Sequence, residues 1–95
     1  MRIQITEVYR DWINGLKDRT IRARIQVRVD RLAHGNPGQH RNLTDGVSEL
    51  KIDVGPGYRV YYTERNGELI VLLAGGDKSS QPQDIKAAIA LARNL

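Results

Sequence analysis

The sequence contains no cysteine, which excludes disulfides, thiolate metal sites and cysteine nucleophiles together. Its two histidines, His34 and His40, are too few and too isolated to build a zinc site without thiolate partners. No metal and no other cofactor is expected. No apolar run approaches the roughly 18 residues of a membrane-spanning helix. The opening MRIQITEVYRDW meets charge almost at once and lacks the apolar stretch of a signal peptide. A cytoplasmic location, with no membrane partner, is therefore expected. No Ser/His/Asp order, paired-carboxylate signature or helical zinc motif is present. GGDKSSQ has the glycines and the Lys-Ser of a phosphate loop, but Asp77 interrupts the Gly-Lys step and the earlier Walker glycine is missing. A nucleotide-binding loop is rejected.

What is there reads as one globular domain spanning all 95 residues, with 40% apolar and 27% charged side chains. The net charge of +4 suits a polyanionic partner. Its distribution is uneven: residues 1–35 hold eight Lys/Arg against four Asp/Glu, and residues 36–95 hold seven against seven. The whole excess lies in the first third.

RIQIT, residues 2–6, alternates with Ile3 and Ile5 on one face, the period of a half-buried strand. Thr6 can cap a helix in which Val8, Tyr9, Trp12, Ile13 and Leu16 fall at helical spacing, with Glu7 at the positive end of its dipole. A second helix starts near Asp18 or Thr20 and carries Ile21, Ile25, Val29 and Leu32 in one stripe, ending at Gly35. NPGQHRNLTDG, residues 36–46, reads as a long loop. In VSELKIDV, Leu50, Ile52 and Val54 share one face and Glu49, Lys51 and Asp53 the other. GPG turns into a strand over Tyr58 to Arg65, Asn66-Gly67 is a hairpin signal, and ELIVLLA is apolar on both faces, as a central strand would be. Pro82 suits the start of a last helix, with Ile85, Ala88, Ile89 and Ala92 turned inward. The expected fold is α+β, a small mainly antiparallel sheet with two N-terminal helices and one C-terminal helix, the helices packed against one sheet face.

Chemistry concentrates in GPGYRVYY, residues 55–62. Alternation sends Tyr58, Val60 and Tyr62 to the core and Arg59, Tyr61 and Thr63 to the opposite face, expected to be open. There Arg59 and Lys51 can hold a phosphodiester, the guanidinium in two-pronged fashion and the ammonium as a point charge, while Tyr61 stacks on a base. The alternative is that Arg59 pairs with Glu49 or Asp53 across strands as ordinary surface electrostatics. Lys78, just ahead of a helix N-terminus, is either an anion contact or a solvated turn lysine. Arg19, Arg22, Arg24, Arg28 and Arg31 on the second helix form either a solvated face or a landing surface for RNA or an acidic protein. His40, in the long loop, is a candidate proton carrier. Arg22, Arg28, His40 and Arg41 are the candidate RNA-binding set.

With those residues quoted, the chain resembles the RelE/ParE toxin superfamily and within it the HigB-like addiction module killer branch. The resemblance rests on VSELKIDVGPGYRVYYTERNGELIVLLAGGDKSSQPQDIKAA and extends, through the opening strand and two helices, over nearly the whole chain. It implies a RelE-like fold and the toxin of a type II toxin-antitoxin system, neutralised by a HigA-like helix-turn-helix antitoxin. It further implies a metal-independent endoribonuclease that cleaves mRNA on the ribosome and stops translation. Arg59 then matches the strand arginine that binds the scissile phosphate, Lys51 a preceding-strand lysine displaced by one residue of turn, and Lys78 the basic residue after the last strand. The tyrosine or histidine that such nucleases often keep in the C-terminal segment is absent here, and Asp84 is the nearest titratable group. Two other readings stay open: a ParE-like inhibitor of DNA gyrase without nuclease chemistry, and a non-catalytic RNA- or protein-binding module.

Overall fold

The computed structural model describes residues 1–95. In chain order the elements are β1 (Arg2–Ile5), α1 (Glu7–Gly15), α2 (Arg19–Ala33), β2 (His40–Asn42), β3 (Val47–Ile52), β4 (Tyr58–Arg65), β5 (Leu69–Asp77) and α3 (Gln81–Arg93), with one short 3-10 turn over Lys78–Ser80 ahead of α3. The five strands form one sheet in the order β1-β5-β4-β3-β2. β1 runs parallel to β5, and every other pairing is antiparallel. This is the α+β fold expected, with three differences in its details.

The first difference lies in the layers. α1 and α2 cover one sheet face, where Tyr9, Ile25, Val29 and Leu32 pack on Leu50, Ile52, Val60, Tyr62, Ile70 and Leu72. α3 covers part of the other face, with Ala88 and Ala92 against Val47, Tyr61, Val71, Leu73 and Ala74. The expectation of helices on one face only is corrected. The reason lies in β5, whose residues Ile70 to Ala74 are all buried. A strand apolar on both sides needs cover on both sides, and each buried Leu, Ile or Val contributes about 1.5–3 kcal/mol relative to exposure.

The second difference is in strand extent. β5 runs on through Gly75 and Gly76 to Asp77, and the loop before β3 contains the short edge strand β2. The third concerns β1, which was expected to be half-buried. It is an edge strand with Ile3 and Ile5 exposed, because α1 packs over β5 rather than over β1 itself.

Local features hold these elements in place. Asp18 caps α2, accepting from the Thr20 and Ile21 N–H groups. Thr6 accepts from the Tyr9 N–H at 3.0 Å and donates its hydroxyl to the Leu73 carbonyl at 2.6 Å, fastening the start of α1 to β5. At the β4–β5 hairpin, Asn66 (φ 57°) and Gly67 (φ 67°) both take the left-handed conformation, which matches the strand twist. Arg28 stands between α2 and the sheet, donating to the carbonyls of Lys51 (2.6 Å), Pro37 (3.1 Å) and Gln39 (3.0 Å). One guanidinium thereby ties the α2–β2 connection to β3.

A β-bulge divides β4–β5. Tyr61 pairs with Ala74 and Tyr62 with Leu72, which leaves Leu73 as the extra residue. Leu73 and Ala74 consequently both pack toward α3. Beyond the bulge, Gly75 lies beneath the Trp12 ring of α1 and Gly76 beneath the Asp84 carboxylate of α3. Side-chain carbons at either position would overlap those groups, so the pair lets helices from both faces approach the same strand end.

Candidate functional site

The site forms where β3, β4 and β5 meet the N-terminal turn of α3. Arg59 on β4 is directly opposite Lys51 on β3 and Gly76 on β5. Directly opposed residues of an antiparallel pair project to the same face, so Lys51 and Arg59 share the α3 face. The neighbouring row contains Arg41, Glu49, Tyr61 and Ala74, one residue from each of β2 to β5. The turn between β3 and β4 brings Lys78 to the same end: a Cβ placed on Gly57 would lie 3.4 Å from Arg59 Nη1 and 4.0 Å from Lys78 Cβ.

Glu49 is the electrostatic centre of this face. Its side chain is fully buried, a costly place for a carboxylate unless it is paired and hydrogen-bonded. Both oxygens are engaged. Oε2 accepts from Arg41 Nε at 3.1 Å and lies 2.9 Å from Arg41 Nη2. Oε1 accepts from Gln81 Nε2 at 2.6 Å and from the Tyr61 hydroxyl at 3.4 Å, and Arg59 Nε lies 3.3 Å away. That last contact is an ion pair by distance, but the Nε–H is not aimed for a hydrogen bond to the oxygen. Arg59 Nη1 donates to its neighbour's Tyr58 carbonyl at 3.2 Å, and the side chain keeps 12% of its surface accessible. The cross-strand ion pair weighed as an alternative is therefore present, with Glu49 as the partner. Asp53 takes no part, because β3 ends at Ile52 and Asp53 turns away toward α2.

α3 supplies the remaining groups. Asp84, in its first turn, accepts from the Ser80 hydroxyl at 2.5 Å and stands over Gly76, the residue opposite Arg59. Asp77 accepts from the Ser79 N–H at 2.8 Å and from its hydroxyl, which hold its carboxyl below the ordinary range.

Tyr61 requires a correction. It was expected on an open face, free to stack on a base, but its side chain is completely buried beneath α3. Burial first, and then the Glu49 and Asp84 carboxylates, push its hydroxyl well above the usual tyrosine value. It stays protonated at neutral pH and serves as a donor to Glu49.

The expected RNA-binding set does not converge. Arg41 joins the Glu49 cluster. His40 pairs with Leu50 and so projects toward the α2 face, with Nδ1 2.9 Å from the Gly38 carbonyl, beside a cavity of about 500 Å³ that also includes Tyr62 and Leu32. Arg28 is engaged with three carbonyls, and Arg22 lies half-buried on α2 with an Nε that has no hydrogen-bond partner. Gln81, Ser80 and Gly76 were not singled out in the sequence. Two successive glycines inside an apolar strand were the available signal, since an interior glycine marks a close approach by another group.

No group of three or more His, Cys, Asp or Glu side chains is gathered as a metal cage would require. No helix is long and apolar enough to cross a membrane.

Fold and site together define a small α+β domain with a cationic cluster, ordered by one buried carboxylate, at one end of the central strands beneath a helix. The chain belongs to the family described as Phage derived protein Gp49-like, whose model matches residues 11–95, a RelE/toxin-like addiction-module family. A relative from Haemophilus influenzae, named only as an uncharacterized protein, is 45% identical over 95 residues, covering 100% of this chain and 96% of its own.

Proposed function

We propose that this protein is the toxin of a type II toxin-antitoxin system, of the HigB-like kind, and that it cleaves mRNA on the ribosome. The observation that carries this reading is the convergence of Arg59, Lys51, Lys78 and Asp84 on one end of the β3–β4–β5 ladder. Cationic side chains beside a carboxylate suit the transesterification of RNA. The ribose 2′-oxygen attacks the adjacent phosphorus, the bond from phosphorus to the 5′-oxygen breaks, and a 2′,3′-cyclic phosphate and a 5′-hydroxyl result. Arg59, with Lys51 opposite it, offsets the charge that develops on the phosphorane. Asp84 accepts the 2′-hydroxyl proton, Lys78 meets the flanking phosphate or the leaving oxygen, and the 5′-oxygen takes its proton from water. Tyr61 acts indirectly by donating to Glu49, which orients Arg59. A HigA-like helix-turn-helix antitoxin is the partner this reading calls for.

The experiment is to add purified protein to a translating extract and map mRNA ends. New ends are expected with the wild-type chain. Arg59→Ala should lower the cleavage rate on the order of a hundredfold, as loss of one transition-state donor does. Undiminished cleavage by that variant would remove Arg59 from its role. Intact mRNA accompanied by gyrase-linked DNA breaks would replace nuclease chemistry with gyrase inhibition.

A further inference from the structure

The second helix leaves a surface that the Arg59 site does not use. α2 carries Arg19, Arg22, Arg24, Arg28 and Arg31, and none of them forms an ion pair. Arg24, Val27 and Arg31 stand at positions i, i+3 and i+7, one stripe along the helix. All three are exposed, Val27 to 47% despite being apolar. At a rise of 1.5 Å per residue, the two arginines are about 10 Å apart along the axis, with the valine between them. This stripe forms one wall of a groove of about 520 Å³ whose other wall, from the end of β3, includes Ile52, Asp53 and Val54. The groove lies on the sheet face opposite Arg59.

We infer that this groove is a docking site for an amphipathic helix of a partner protein that places two acidic residues, two turns apart, on either side of an apolar side chain. Charge complementarity selects the acidic groups, because Arg24 and Arg31 lack carboxylate partners in the chain. The exposed valine and the Ile52 and Val54 wall select the apolar residue between them. RNA fits less well. No aromatic side chain lines the groove to stack on a base, and the Asp53 carboxylate in its wall repels phosphates. The inference rests on the toxin reading only for the identity of the partner as an antitoxin. The chemistry of docking is independent of it.

The test uses the full chain and a fluorescently labelled synthetic helical peptide with two glutamates two turns apart flanking a leucine. A control peptide has lysines in place of the glutamates, and an unlabelled single-stranded RNA serves as competitor. Anisotropy titration at low ionic strength should show the acidic peptide binding about tenfold or more tightly than the control and weakening as salt is raised. R24E/R31E and, separately, Val27→Asp should each lower that affinity about tenfold or more, with circular dichroism confirming that both variants fold. Equal binding of the two peptides, or binding unchanged by R24E/R31E, would overturn the inference. Displacement of the peptide by RNA, with R24E/R31E also abolishing RNA binding, would overturn it in favour of a nucleic-acid groove. Arg59→Ala should leave peptide binding intact. A wild-type chain that binds the peptide but does not cleave mRNA counts against the toxin reading alone, and one that cleaves mRNA but does not bind the peptide counts against the groove alone.

Discussion

Glu49 and Tyr9 illustrate two opposite ways of burying a polar group. Glu49 is buried with four polar partners, so removing it strands a mostly buried Arg59 together with Gln81 and the Tyr61 hydroxyl. Glu49→Ala should lower the unfolding free energy by about 3 kcal/mol, read as a lower urea midpoint. Half-exposed Arg41 regains water and keeps the loss toward the lower end of the range for broken buried pairs. Tyr9 is buried with a hydroxyl that has no partner at all. Tyr9→Phe removes a polar group that folding strips of water, and should raise stability by about 1 kcal/mol at neutral pH. Burial also pushes the Tyr9 hydroxyl from 10.0 up to about 12. A raised folded value means that the folded state holds its proton more tightly. The contribution is fully present below the unfolded value near pH 10 and lost as pH rises through about 12. Urea midpoints measured across that window should fall more steeply for the wild type than for Tyr9→Phe.

Among the elements, the β5–α3 junction shows what could be read from the sequence and what could not. The strands β3 and β4 were legible because each alternates apolar and polar residues along a half-buried face, and the cap Thr6 was legible because it sits just before a helical stripe. The start of the second helix is open between Asp18 and Thr20 in the sequence, and the structure places its cap at Asp18. β2 was not: His40, Arg41 and Asn42 are all exposed and carry no apolar signal. The stripe on α3 said which side of the helix turns inward but not which face of the sheet receives it. β5, apolar on both faces, held that information, and it was read only as a sign of a central strand. The placement of Arg59 beside Lys51 on one sheet face was legible from alternation, while the burial of Tyr61 followed from the missed placement of α3. Gly76 marks how closely that helix approaches. Gly76→Ala should lift the first turn of α3, displace Asp84 and destabilise the fold by about 1–3 kcal/mol, the usual range for overpacking. Hydrogen exchange should report faster exchange through the first turns of α3, with little change in α2.

For the whole molecule, with its net charge of +4, the proposed RNA binding should be governed by counterion release. If Arg59, Lys51 and Lys78 each meet one phosphate, the logarithm of the binding constant should fall against the logarithm of salt concentration with a slope of about −2, at about 0.7 per phosphate for a single strand. Lys78→Ala should reduce that slope by about 0.7, measured by anisotropy over a salt series. The topology sets a second molecule-wide property, because β1 pairs in parallel with β5, more than sixty residues along the chain. Closing a loop of that length weights the fold toward distant contacts and slower assembly. The cluster around Arg59 is completed by Gln81 and Asp84, residues that follow all five strands. Since translation runs from the N-terminus, β1 waits unpaired until β5 has been made, and the helix carrying Asp84 is made later still. A ribosome making this chain therefore does not meet an assembled cluster on the nascent protein until the sheet-forming segments have already been synthesised.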